Sequence, residues 1–158
     1  MTEYEIRAAR PSDRARILGM WLDLIAYHRA LDPEFAPPAG IRDVLLDEIS
    51  RGIGSDRCDV LVAECEGVAV GFLFAELERA SLAAAGDASH GWIHELWVDP
   101  EHRCCGVAAG MLARAEALLL RRGCARIAVR VESANEDGLR FWRHRRFRER
   151  ARILEREE

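Results

Sequence analysis

The sequence predicts an α+β fold, a mixed and mainly antiparallel central sheet of about six strands flanked by about four helices. Three observations carry this. Short alternating or apolar runs at 4–8, 59–64, 69–75, 93–98, 126–131 and 147–154 have the length and composition of strands. Apolar residues recur at helical spacing in the longer stretches 11–31, 41–51, 106–122 and 135–145. The run at 93–98 is followed by a short loop of small residues and then a long Ala/Leu helix, a strand–loop–helix unit.

The elements follow in order. Tyr4, Ile6 and Ala8 alternate with Glu5 and Arg7 as a first strand. Pro11, Ser12 and Asp13 then open a helix, because proline is tolerated in a first turn and Ser or Asp suits capping. Ile17, Leu18, Trp21, Leu24, Ile25 and Leu31 make its buried face. Asp32-Pro33 and Pro37-Pro38 break it into a loop. The second helix places Ile41, Val44, Leu45 and Ile49 on one side, and the stretch from Gly52 to Ser55 ends it. Two apolar runs around Glu66-Gly67 form a hairpin, and 80–91, rich in Ala, Ser, Gly and Asp, is read as a loop. The third helix buries Val107, Met111, Leu112, Ala115, Leu118 and Leu119. A strand at 126–131, a helix at 135–145 and a last strand at 147–154 complete the chain. With neither repeats nor a linker, residues 1–158 read as one domain.

Composition narrows the function classes. At 158 residues, with 49% hydrophobic and 32% charged residues, the chain suits one ordinary globular core. No apolar run approaches the ~20 residues of a membrane helix, and the start lacks a secretory pattern, so a cytoplasmic location is expected. The five cysteines are scattered without metal-type pairing and read as reduced thiols; no metal is expected. A net charge of −4 argues against nucleic acid as a partner. The arginine run from Arg140 to Arg152 spans a helix end and a strand and is diluted by Glu149 and Glu155, so it makes no single basic face. All 23 basic residues are arginine, which leaves no internal lysine amine for self-acylation.

The chemistry concentrates at 93–108. The strand Ile93-His94-Glu95-Leu96-Trp97-Val98 leads through Asp99-Pro100-Glu101-His102 to Arg103-Cys104-Cys105-Gly106-Val107-Ala108, where a helix begins. A helix N-terminus carries amide N–H groups with no intrahelical acceptor and a partial positive charge. A small-residue loop ahead of it lets those amides close around a phosphate or diphosphate. Gly106 supplies a positive φ or close backbone approach there.

This Arg-x-x-Gly-x-Ala pattern, after a strand of the type Ile-x-x-Leu-x-Val, resembles the GNAT superfamily of N-acetyltransferases. Asn135, Gly138, Phe141, Trp142 and Phe147 resemble the later elements of that fold, so the likeness covers nearly the whole chain. The resemblance implies an enzyme that uses acetyl-CoA (coenzyme A) as co-substrate and transfers acetyl to a primary amine of a small molecule or peptide by direct attack. It implies pantetheine pairing with the backbone of the strand at Leu96, Trp97 and Val98. It places the diphosphate on the amides of Cys104, Cys105, Gly106, Val107 and Ala108. Arg103 holds the loop, pairs with phosphate, or is a surface arginine. Asn135 caps its helix or touches CoA, capping being the safer reading. Adjacent thiols at 104 and 105 are either redox-sensitive or inert loop fillers.

For catalysis, strict alternation puts 92, 94, 96 and 98 on one face of the strand and 93, 95 and 97 on the other. His94 is read as base or water-holder, since an imidazole suits proton transfer near neutral pH, against the alternative of a packed or surface histidine. Glu95 is read as steering a cationic acceptor or orienting a partner. The Leu96 amide is the simplest oxyanion donor. Trp142 stands where many members of the family carry a tyrosine acid, and an indole has only an N–H donor. That departure motivates the alternative of a non-catalytic acyl-CoA-binding or sensor protein. The acceptor wall is expected from 21 to 49, with Tyr27, His28, Asp32 and Phe35 among its residues. An exposed last strand would permit pairing in a homodimer.

Overall fold

The computed structural model describes residues 3–78 and 89–156. Five strands, β1 (Glu5–Ala8), β2 (Cys58–Cys65), β3 (Val68–Glu78), β4 (His90–Val98) and β5 (Arg126–Val129), lie side by side in that order. The first four are antiparallel and β5 runs parallel to β4. The helices are α1 (Arg14–Leu31), α2 (Ile41–Ile53), α3 (Val107–Arg121) and α4 (Glu136–His144). The predicted α+β class, mixed sheet and four helices are those observed. None of the described helices is long and apolar enough to cross a membrane.

The sheet is buried on both faces, so β2 and β3 are apolar at successive positions rather than alternating with polar ones. On one face Ile17, Met20, Trp21, Leu24, Leu45 and Ile49 of α1 and α2 pack on Val60, Val62, Phe72, Phe74 and Trp97. On the other, Met111, Leu112, Ala115 and Leu119 of α3 and Trp142 of α4 pack on Leu61, Leu73, Ala75, Ile93 and Val98. Glu66 and Gly67 join β2 to β3 with φ of 50° and 81°, the pair of positive angles that a tight two-residue hairpin turn needs.

Local expectations are corrected at several places. Pro11–Asp13 form a separate 3₁₀ turn ahead of α1, in which Asp13 accepts from the Arg10 amide at 2.6 Å. Leu31 and Val44 are exposed (40% and 57%), because each helix end or flank they occupy has turned past the sheet. The loop expected at 80–91 overlaps β4, which begins at His90 where the chain pairs with Glu78; 80–88 lie outside the described residues. β5 stops at Val129, two residues early. The strand expected at 147–154 is not formed. Arg148, Glu149, Arg150 and Arg152 leave it no apolar face to bury, and Ile153 and Leu154 stay exposed.

Strict alternation also fails in β4, for a reason that shapes the site. Phe74 pairs with Glu95 while its neighbour Ala75 pairs with Ile93, so His94 is the extra residue of a β-bulge. A bulge shifts the parity of every side chain beyond it. Leu96 and Val98 therefore join Ile93 on the α3 face, and Trp97 lies on the α1 face. His94 and Glu95, expected on opposite faces, point to the same one: His94 packs edge-on to Phe74 and Glu95 lies opposite Phe74 in register.

Candidate active site

β4 and β5 are paired only from His90–Arg126 to Ile93–Val129. Beyond those residues the strands part, and the side of β4 toward β5 has no strand partner among the described residues. A cavity of about 340 Å³ fills the gap. Trp21, Leu24, Ile25, His28 and Phe35 wall it on the α1 side; Ile93 to Leu96 form its floor; Val129 to Glu132, Asn135 and Trp142 close the far side.

Two carboxylates enter this cavity, Glu95 from β4 and Glu132 from the chain just after β5. Burial pushes the Glu95 carboxyl up to about 8, and the negative charge of Glu132 adds to the effect; the Trp21 indole pulls the other way. His28 is held below its usual range by burial, against an opposing pull from Glu132. His94 is turned toward the β3 and α2 flank, its Nε2 3.3 Å from Glu76 Oε2, with Arg51 bridging Glu76 at 3.5 Å and Glu48 at 2.5 Å. Sequence reasoning singled out His94 and Glu95 but stopped its strand at Val131 and so missed Glu132. The signal that could have found it is its position between a strand leaving the sheet and the Asn135 cap.

The loop after β4 is built around its backbone. Arg103 donates from Nε to the Val98 carbonyl at 2.9 Å, and its guanidinium lies over the rings of Trp97 (4.5 Å) and Tyr27 (5.6 Å). The side chain thus holds the start of the loop. Asp99 is fixed in turn by the Trp97 indole at 3.1 Å and by Arg16. Cys104 and Gly106 take φ of 59° and 83°, which turns the chain sharply into α3. Gly106 is the N-cap of α3, and the first helical bond runs from the Gly110 amide to its carbonyl at 2.9 Å. The amides of Cys104, Cys105, Gly106, Val107, Ala108 and Ala109 donate to no acceptor among the described residues. Cys104 and Cys105 are exposed free thiols. A Cβ added to Gly106 would meet nothing within 4 Å, so the residue is required by its φ.

Such a row of amides without acceptors at a helix mouth fits a diphosphate. Asn135 caps α4, its Oδ1 accepting from the Gly138 amide at 2.9 Å, and it also lines the cavity. Trp142 is buried between Phe141 and Phe147, with ring centroids 5.1 and 5.0 Å away, and borders the cavity. Among the described residues no group of three or more His, Cys, Asp or Glu side chains could hold a metal ion.

Comparison with known proteins agrees with this geometry. Residues 21–147 match the family model described as the acetyltransferase (GNAT) family. The acetyltransferase plu1384 of Photorhabdus laumondii is 29% identical over 132 residues, covering 84% of this chain and 78% of that protein. Among solved structures, the aminoglycoside N-acetyltransferase AAC(6')-Iy in complex with CoA superposes with a TM-score of 0.77 at 19% identity, covering 100% of this chain and 96% of that one. A mutant of the BH1408 protein from Bacillus halodurans reaches a TM-score of 0.87 at 15% identity, covering 98% and 99%. At these identities the structural likeness shows a shared fold.

Proposed function

The chain belongs to the acetyltransferase (GNAT) family, and from that premise we propose that it is an acetyl-CoA-dependent N-acyltransferase that acylates a primary amine by direct attack. The observation that carries this reading is the row of six amides at 104–109, without acceptors among the described residues, at the head of the helix that follows the edge of β4 left open by β5. When bound, acetyl-CoA supplies an acyl group activated as a thioester. The chain's own residues do the rest.

The amides of Cys104 to Ala108 bind the diphosphate, with Gly106 setting the curvature and Arg103 pinning the loop to Val98 and Trp97. The open edge of β4 at Leu96, Trp97 and Val98 offers main-chain groups to the pantetheine arm, and the Leu96 amide is the oxyanion donor. Glu95 is the base. It lies in the cavity with a proton affinity matched to an amine, and an arriving ammonium favours its charged form. His94, on the same face but tied to Glu76, orients water and acceptor at the mouth. Asn135 fixes the α4 wall through its cap. Trp142 offers only an indole N–H, so the leaving thiolate departs without a side-chain acid from that position. AAC(6')-Iy has been solved with a bisubstrate analogue joining CoA to an acetylneamine, which supports a small-molecule amine as acceptor.

The test is thiol release from acetyl-CoA with a panel of primary amines. Turnover is expected for the parent protein, and Glu95→Gln should lower kcat by roughly 10²–10⁴ while CoA still binds. Tight CoA binding with no turnover on any amine would favour the sensor reading instead.

A further inference from the structure

The cavity's charge balance narrows the acceptor, and the inference rests on the acyltransfer reading above. Of the carboxylates near the cavity, Glu76 is matched by His94 and Arg51, at 3.3 and 3.5 Å. Glu95 and Glu132 are different. No ion pair ties Glu95 to a described residue, the Trp21 indole offsets only part of the effect of its burial, and it lines the cavity. Glu132 has only a loose contact, 4.0 Å from Arg130 Nε, while Arg130 turns its other nitrogen to Glu155 at 3.2 Å. From α1, His28 faces the same space in a setting that favours its neutral form. Trp21, Leu24, Phe35 and Trp142 are apolar or aromatic walls. Arg130 is the one cation in the cavity lining, and both its described contacts are to carboxylates, so two acids and aromatic sides leave a site that suits an ammonium group carried on apolar carbon. It disfavours a ligand with a carboxylate next to its nitrogen.

We propose that Glu132 is a specificity-determining residue that, together with Glu95, receives the acceptor as a primary ammonium ion and selects amines lacking an adjacent carboxylate. In the step that follows, the ammonium gives one proton to the Glu95 carboxylate. The freed nitrogen then forms its bond to the thioester carbon. The carbon–sulfur bond breaks with its electron pair going to sulfur, and the second proton lost by nitrogen ends on the thiolate. Glu132 takes no proton; its charge holds the cation in place and strengthens the proton affinity of Glu95.

Phenethylamine and phenylalanine make the test pair, since they share a body and differ by one carboxylate. Calorimetry on CoA-saturated protein should show phenethylamine binding roughly tenfold or more tighter, and Glu132→Gln should remove about that factor without changing CoA affinity. Carbon-13 NMR of labelled glutamates, with Glu95 assigned through Glu95→Gln, should show the Glu95 titration moving to lower pH in Glu132→Gln and staying high in Glu132→Asp. The side chain of Glu132 is 37% exposed, so the substitution should fold. Equal binding of the two probes, or a Glu95 titration indifferent to residue 132, would overturn the proposal. Because the titration needs neither CoA nor turnover, a protein inert toward acetyl-CoA but with coupled carboxylates would sink the transfer reading alone.

Discussion

Glu95 is a carboxyl whose stability and chemistry pull in opposite directions. Its ordinary value of 4.5 is pushed up to about 8 in the folded chain, first by burial and then by Glu132. Between those two values the folded state binds more protons than the unfolded one. Stability therefore falls as pH rises through that window and levels off above it. Below it the carboxyl is protonated in both states and costs nothing by this route. Glu95→Gln should accordingly melt at a higher temperature than the parent at pH 9, with the gain fading as pH approaches 4.5. One kcal/mol corresponds to about 2–4 °C in a domain of this size, so thermal melts at several pH values resolve it. A lower melting temperature for the variant at pH 9 would contradict the burial described. A buried carboxyl retained at a cost in stability is what the proposed role of Glu95 as base predicts. Glu95 was legible in the sequence because it stands in a recognisable strand. Glu132 was not, because its one mark in the sequence, a place between the end of a strand and the Asn135 cap, gains meaning only once that strand leaves its neighbour.

At the scale of elements, the order of strands and helices could be read from apolar periodicity and turn residues, since those patterns are set by short-range geometry. Register could not. The bulge at His94 adds one residue to β4, and no residue type in Ile93-His94-Glu95-Leu96 announces it, yet it brings His94 and Glu95 to one face and sends Leu96 to the other. Likewise the charged stretch after Phe147 alternates too weakly to earn a place in the sheet. The loop into α3 was legible because small residues precede a helix there and its glycine is a conformational requirement. Gly106→Ala tests that requirement. With φ at 83° a side chain there costs about 1–2 kcal/mol, and space is no obstacle. The loop should relax, and CoA affinity measured by calorimetry should fall roughly tenfold with α3 intact by circular dichroism. Unchanged affinity would mean that the curve of the loop does not matter.

Across the whole molecule, helices cover both faces of one sheet, and β4 and β5 part beyond Ile93 and Val129. The fold thus brings an open strand edge and two carboxylates from separate parts of the chain to one cleft, and the amides at the head of α3 follow that edge in the chain. That convergence is a property of the packed sheet, and composition carries no trace of it. It is tested most directly by titrating CoA into nitrogen-15-labelled protein and following each backbone amide. The largest shifts should fall at Cys104 to Ala109 and along Leu96 to Val98, with the far surface of α2 unmoved. Saturable binding that leaves 104–109 unperturbed, or no binding by the folded protein, would contradict the site.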